Sequence, residues 1–232
     1  MNSLHQKVAI ITGAGSGLGK ETAIAFAREG ANVVICDRSY EILQPVEALI
    51  HEQFEVEVLS VQADVSTESD VNRLIRKVIA KFQRIDILIN NAAIFQQYHV
   101  IDSPLDSWEY QINNNATSVF LMMREALPYM RSEKSGHIIN ITSGIVKEGA
   151  AGFGAYAASK AAIEALTYSV QDEEHRKGIK IHVFNPGVMK TNLARVGEHP
   201  ANIAPYLVHL VQSSPLCESR VITPEDFQLL SS

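Results

Sequence analysis

The stretch Val8-Ala9-Ile10-Ile11-Thr12-Gly13-Ala14-Gly15-Ser16-Gly17-Leu18-Gly19-Lys20-Glu21-Thr22-Ala23-Ile24-Ala25 decides the fold. An apolar run of strand length enters a turn with glycines at 13, 15, 17 and 19, and the turn opens directly into a helix-like segment. In that setting a glycine turn lets backbone approach a pyrophosphate and aims a helix N-terminus at it. A glycine-rich loop alone is equally a flexible connector, so the weight lies on the strand-turn-helix placement. The candidate phosphate-facing residues are Gly13, Ser16, Gly17, Leu18 and Gly19.

The same alternation continues along the chain. Short apolar runs recur at 33–36, 56–61, 87–89, 138–141 and 179–184. Runs of this length with little polar alternation suit strands covered on both faces. The longer segments between them are helix candidates, at 18–28, 69–82, 105–131 and 155–176, the last rich in Ala and Glu. The pattern predicts an α/β fold, a doubly wound parallel sheet of the Rossmann type. Without an internal repeat, low-complexity tract or linker, residues 1–232 read as a single dinucleotide-binding and catalytic domain.

The second apolar run leads into Asp37, eighteen residues beyond Gly19. An acid at such a strand end accepts hydrogen bonds from adenosine ribose hydroxyls and repels a 2′-phosphate, which makes NAD the expected cofactor. Arg38 argues the other way, because a guanidinium pairs with that phosphate, so NADP stays open. Without a ligand, Asp37-Arg38-Ser39 is simply a polar loop capping the next helix.

A 46% apolar composition gives a chain of 232 residues a full core. The net charge of -6 leaves no large basic footprint, so nucleic acid is not an expected partner. Cys36 and Cys217 are too few for a disulfide framework and lack zinc-type spacing, so they read as free thiols and no metal site is expected. The opening Met1-Asn2-Ser3-Leu4-His5-Gln6-Lys7 has no apolar signal core, and no run approaches a membrane span. A cytoplasmic location away from membranes is the expectation.

Tyr156 and Lys160 stand four apart in a predicted helix, so their side chains leave one face a turn apart. An ammonium beside a phenol favours phenolate and lowers a pKa of about 10, as an acid/base group near neutrality requires. Ser143 follows the 138–141 run, at the end where ligands bind in open α/β sheets. Asn113, Asn114 and Asn115 fall inside a predicted helix, where asparagine is disfavoured, and a functional kink at Asn115 accounts for one of them. Asn113 and Asn114 are expected to be solvated.

From about residue 7 to 191 the chain resembles the short-chain dehydrogenase/reductase family. The elements that carry the resemblance occur in order: Thr12 to Gly19, Asp64-Val65, Asn90-Asn91-Ala92, Asn115, Ser143, Tyr156 with Lys160, and Asn185-Pro186-Gly187 with Thr191. The interval of thirteen from Ser143 to Tyr156 is also the family's. The resemblance implies hydride exchange between nicotinamide and a secondary alcohol or ketone, with Tyr156 as acid/base. Lys160 would hold the nicotinamide ribose and depress the tyrosine pKa. Ser143 would bond the substrate oxygen, and Asn115 would hold a water linking Lys160 to solvent. The resemblance also implies Asp64 and Val65 near adenine, Asn91 and Ala92 along the adenosine ribose, and Pro186, Gly187, Val188 and Thr191 on the nicotinamide side. Asp64-Val65-Ser66 alone would be an ordinary strand end and helix cap. Pairing through the helices carrying Asn115 and Tyr156, as a homodimer or homotetramer, is implied as well.

The chain departs from the family pattern in three places. Ala93 replaces the glycine that usually closes Asn-Asn-Ala-Gly, the C-terminal Asp-Gly-Gly is lacking, and the segment after Thr191 is short. That short segment, 192–199, is expected to leave the pocket open. The rival enzyme reading is an NADPH-dependent reductase of 3-oxoacyl thioesters. From another class, the rival is a regulatory dinucleotide-binding protein without turnover, against which the intact Ser143, Tyr156 and Lys160 count.

Overall fold

The computed structural model describes residues 4–190, 196–213 and 220–229. Among them, seven parallel strands form one sheet in the order β3-β2-β1-β4-β5-β6-β7. In chain order they are β1 (Val8–Thr12), β2 (Asn32–Asp37), β3 (Val58–Gln62), β4 (Ile87–Asn90), β5 (Gly136–Ile141), β6 (Ile179–Phe184) and β7 (Val221–Ile222). The expected doubly wound sheet is what these residues build.

The strands are apolar on both faces because helices cover both faces. β1 is buried at all five positions. One core joins the sheet to α1 (Gly17–Arg28), α2 (Tyr40–Gln53) and α8 (Pro200–Ser213), through Phe26, Leu43, Phe184 and Leu207. The other joins it to α3 (Glu68–Phe82), α5 (Ser118–Glu133) and α7 (Gly154–Glu174), through Leu74, Met122, Ile138 and Ile163. Short α6 (Ile145–Glu148) and α9 (Pro224–Leu229) complete the description with α4 (Leu105–Ile112).

Two details matter for the site. The segment expected as one helix over 105–131 is interrupted: α4 runs into a π-helical turn, Asn113–Thr117, before α5. And β1 lies between β2 and β4, with the register Ile10 opposite Val34 on one side and Leu88 on the other. The connections leave β1 and β4 in opposite directions there, so a crevice opens at the C-terminal ends of those strands, directly over the glycine turn.

Candidate active site

The glycine turn is held from below by two side chains. Thr12 Oγ1 accepts the main-chain N–H groups of Asn91 and Ala92, each at 3.0 Å, and so ties the end of β1 to the end of β4. Asn91 Nδ2 donates to the Thr12 and Gly13 carbonyl oxygens at 2.9 and 3.3 Å. The Asn91 amide nitrogen thus faces the turn and braces it. Gly13 has φ +64°, and a Cβ there would lie 2.9 Å from Ala92 Cα. A Cβ on Gly19 would overlap the Gly13 carbonyl oxygen. The turn is therefore wound too tightly for a side chain at either position, and its backbone is left open to a phosphate-bearing ligand. Ser16 and Gly17 start α1, while the Leu18 side chain is buried in the core, leaving its main chain for such a ligand.

From this turn a cleft extends toward β2. It is lined by Gly13, Asp37, Arg38, Asp64, Val65 and Ala92, together with Ala93 and Asn114. These residues include the acid and the Asp64-Val65 pair expected beside an adenosine. Asp64 also serves as the local cap, its Oδ1 accepting Ser66 N and Oγ at 2.9 and 2.6 Å. Asp37 sits at the end of β2 and accepts Gly15 N at 3.2 Å and Arg38 N at 2.8 Å. A second cleft on the other side of the turn is lined by Ser16, Gly17, Lys20, Lys190 and His199. Its two lysines, Lys20 and Lys190, escaped the sequence reading because neither stands in a cluster of basic residues.

The π turn explains the three asparagines. An extra residue in one turn rotates both Asn114 and Asn115 inward. Asn115 is fully buried, accepts Ile94 N at 2.8 Å, and donates to Ile94 O at 3.0 Å and to Ser159 Oγ at 2.9 Å. The expected kink is present and locks α7 to the loop after β4. Asn113 is exposed as expected, but Asn114 is not solvated: it is buried and reaches the adenosine-side cleft.

Ser143, Tyr156 and Lys160 converge beyond the C-terminal end of β5. Lys160 is 2% exposed, with Nζ donating to Ile141 O at 2.9 Å and standing 5.7 Å from the centroid of the Tyr156 ring. Phe95 meets Tyr156 edge-on at 5.4 Å between centroids and stacks on Phe153 at 4.5 Å, so an aromatic wall stands beside the phenol.

The electrostatics differ from the expectation that Lys160 depresses the Tyr156 pKa. Burial is the largest influence on the phenol and pushes it up to about 12, against a lowering influence from the Ser143 side chain. Lys160 is itself lowered to about 8 by burial. The physical reason is placement. The ammonium lies over the ring and bonds a main-chain carbonyl, so desolvation outweighs any help it gives the hydroxyl.

Pro186 is buried, Gly187 has φ +73° and Val188 is 64% exposed. Thr191, a predicted nicotinamide-side residue, lies outside the described residues, as do 192–195 and Cys217. The flanks of that segment pair with each other: Glu198 N donates to Val188 O at 2.8 Å and Lys190 N to Glu198 O at 2.9 Å.

Comparison with known proteins agrees with the fold and with the family that the sequence resembles. A family model described as short chain dehydrogenase matches residues 7–200. A 3-oxoacyl-(acyl-carrier-protein) reductase of Synechocystis sp. is 35% identical over 195 residues, covering 83% of this chain and 78% of the relative. The crystal structure of levodione reductase superposes with a TM-score of 0.90 at 27% identity, covering 99% of this chain and all of that one. A metagenomic short-chain oxidoreductase in complex with NADP gives a TM-score of 0.86 at 29% identity, covering 95% and 97%.

Proposed function

Because the chain belongs to the short-chain dehydrogenase family, and is an oxidoreductase acting on CH–OH and C=O groups with a nicotinamide cofactor, we propose that Tyr156 is its proton-transfer group. The observation that carries this is the convergence of Ser143, Tyr156 and Lys160 beyond the end of β5, beside the crevice over the glycine turn. When bound, the nicotinamide supplies the hydride acceptor or donor. The protein's part is to position and to move a proton. Ser143 holds the substrate oxygen, and the Tyr156 hydroxyl gives it a proton in reduction or takes one in oxidation. A phenol kept protonated by burial is ready to act as the acid. Lys160 holds a ribose hydroxyl and returns the proton toward solvent, with Asn115 fixing the helix that carries both residues.

The glycine turn with Ser16, Gly17, Leu18 and Gly19 takes the pyrophosphate. Asp37, Asp64, Val65 and Ala92 take the adenosine, and Pro186, Gly187, Val188 and Thr191 take the nicotinamide side. Asp37 at the ribose edge supports NAD over NADP. The second reading, an NADPH-dependent reduction of 3-oxoacyl thioesters, is favoured by the 35% identity to the Synechocystis reductase and by the NADP complex among the similar structures.

The enzyme works as one domain in the cytoplasm. Among the described residues, no helix is long and apolar enough to cross a membrane. It pairs as a homodimer or homotetramer, a reading supported by the exposed Val100, Ile101, Leu105 and Trp108 along the approach to and start of α4. A panel of cyclic ketones, acyclic ketones and 3-oxoacyl thioesters, followed by NADH and NADPH absorbance, tests the assignment. Turnover of ketones with NADH is expected, and a requirement for thioesters with NADPH would replace the first reading by the second.

A further inference from the structure

The adenosine-side cleft has two rims, and one hydrogen bond crosses between them. Arg38, just beyond β2, sends Nη1 to the phenol oxygen of Tyr110 on α4 at 2.7 Å, joining residues 72 apart in the chain. Tyr110 is one turn before Asn114, which lines the cleft and donates through Nδ2 to the Tyr110 carbonyl oxygen at 2.8 Å. The two residues therefore share a helix face. The Arg38 main chain is fixed separately, its N–H on Asp37 Oδ1 at 2.8 Å and its carbonyl oxygen accepting Gln62 Nε2 at 3.0 Å. Only its side chain has a choice of direction, and Tyr110 takes it.

On the β2 rim, Asp37 Oδ2 accepts Gly15 N, and the Ile42 side chain packs against Gly15. The surroundings of the acid are thus an aliphatic chain and two main-chain donors, Gly15 N and Arg38 N, while the neighbouring guanidinium is drawn across to α4.

We propose that Tyr110 is a specificity-determining residue. By holding the Arg38 guanidinium on the opposite rim, it keeps this cation from pairing with a 2′-phosphate and so biases the site toward NAD. The proposal rests on the reading of Asp37 as the acid that meets the ribose diol. A guanidinium and a phosphate form a charge-assisted, bidentate pair, whereas a phenol offers one neutral acceptor. Tyr110 therefore acts as a bias that a free phosphate competes against. Both side chains are exposed, so the contact has the modest strength of a solvated surface interaction.

Dissociation constants for NADH and NADPH, read from nicotinamide fluorescence with no substrate present, test this in the wild type and in Tyr110→Phe, Arg38→Ala, the double variant and Asp37→Ser. Tyr110→Phe should shift the NADPH-to-NADH affinity ratio toward NADPH by roughly three- to five-fold, the range of an exposed surface contact. The shift should vanish when Arg38→Ala is also present. A ratio unchanged in Tyr110→Phe, or a shift that persists without Arg38, overturns the role of Tyr110. If instead Tyr110→Phe shifts the ratio while Asp37→Ser leaves it unmoved, the clasp stands and the reading of Asp37 falls. A wild type that prefers NADPH and loses that preference in Arg38→Ala overturns both.

Discussion

Lys160 Nζ donates to the main-chain oxygen of Ile141 at 2.9 Å, which fixes the buried ammonium to the end of β5 beside the Tyr156 ring. Burial lowers its pKa from 10.5 to about 8. Between those two values the unfolded chain binds more protons at this position than the folded one, so this residue's contribution to stability rises with pH across that window. Lys160→Met removes the titration and leaves a constant cost from the unpaired Ile141 carbonyl. The stability of the wild type relative to Lys160→Met should increase between pH 7 and pH 10.5 by on the order of 3 kcal/mol. Urea unfolding at the two pH values measures this, and a difference independent of pH would show that the ammonium is solvated.

The buried Asn115 satisfies three groups at once: the N–H and C=O of half-buried Ile94 and the hydroxyl of buried Ser159. Asn115→Leu removes all three bonds, leaving the half-buried Ile94 groups without this partner and Ser159 Oγ with its bond to Tyr156 O alone. The expected loss is about 2–4 kcal/mol of stability. Denaturant titration checks the magnitude. A variant as stable as the wild type would mean that the π turn does not depend on this side chain.

His137 on β5 and His182 on β6 are partly buried, and both are lowered to about 4, chiefly by desolvation and then by Lys180. His137 also feels His182, Lys7 and, in the opposite direction, Asp86. His137 Nδ1 and His182 Nε2 have no hydrogen-bond partner. The folded pKa values lie below the ordinary 6.5, so the unfolded state takes up protons first and stability falls as pH drops from about 6.5 to about 4. Urea midpoints should decline across this range, and His182→Phe should flatten the decline. An unchanged slope in that variant would place the acid sensitivity elsewhere.

Gly19→Ala sets a methyl group against the Gly13 carbonyl oxygen and near the Asn91 amide. The glycine turn must open to admit it. NADH affinity should fall by at least ~10-fold, equivalent to about 1.4 kcal/mol, as titration calorimetry would show. Unaltered affinity would mean that the ligand does not depend on the turn being closed.

Much of this was legible in the sequence because strand burial and turn chemistry are local. The run at 8–11 and its glycines foretold β1, the turn and α1, and the same logic found five further strands. β7 was missed since two residues, Val221 and Ile222, are too few to show a period. The kink at Asn115 was legible from asparagines in a helical segment, but the inward rotation of Asn114 was not, because it depends on the residue that the π turn adds. The bracing of the turn by the Asn91 amide was not legible either, because it depends on contacts 79 and 78 residues away. The burial of Tyr156 was hidden for a similar reason. Spacing puts Lys160 on the right face, but only the fold reveals that both groups are buried and that desolvation dominates.

The central claim is that Tyr156 transfers the proton, and the most direct measurement is the turnover of Tyr156→Phe with a verified ketone or alcohol, alongside its NADH dissociation constant. Removing one hydroxyl leaves the aromatic contact with Phe95 and the Lys160–Ile141 bond in place. A positioned proton-transfer group contributes roughly 10²- to 10⁴-fold to rate, so kcat should drop by that factor while the NADH dissociation constant stays within about twofold. Near-normal turnover in Tyr156→Phe would contradict the mechanism.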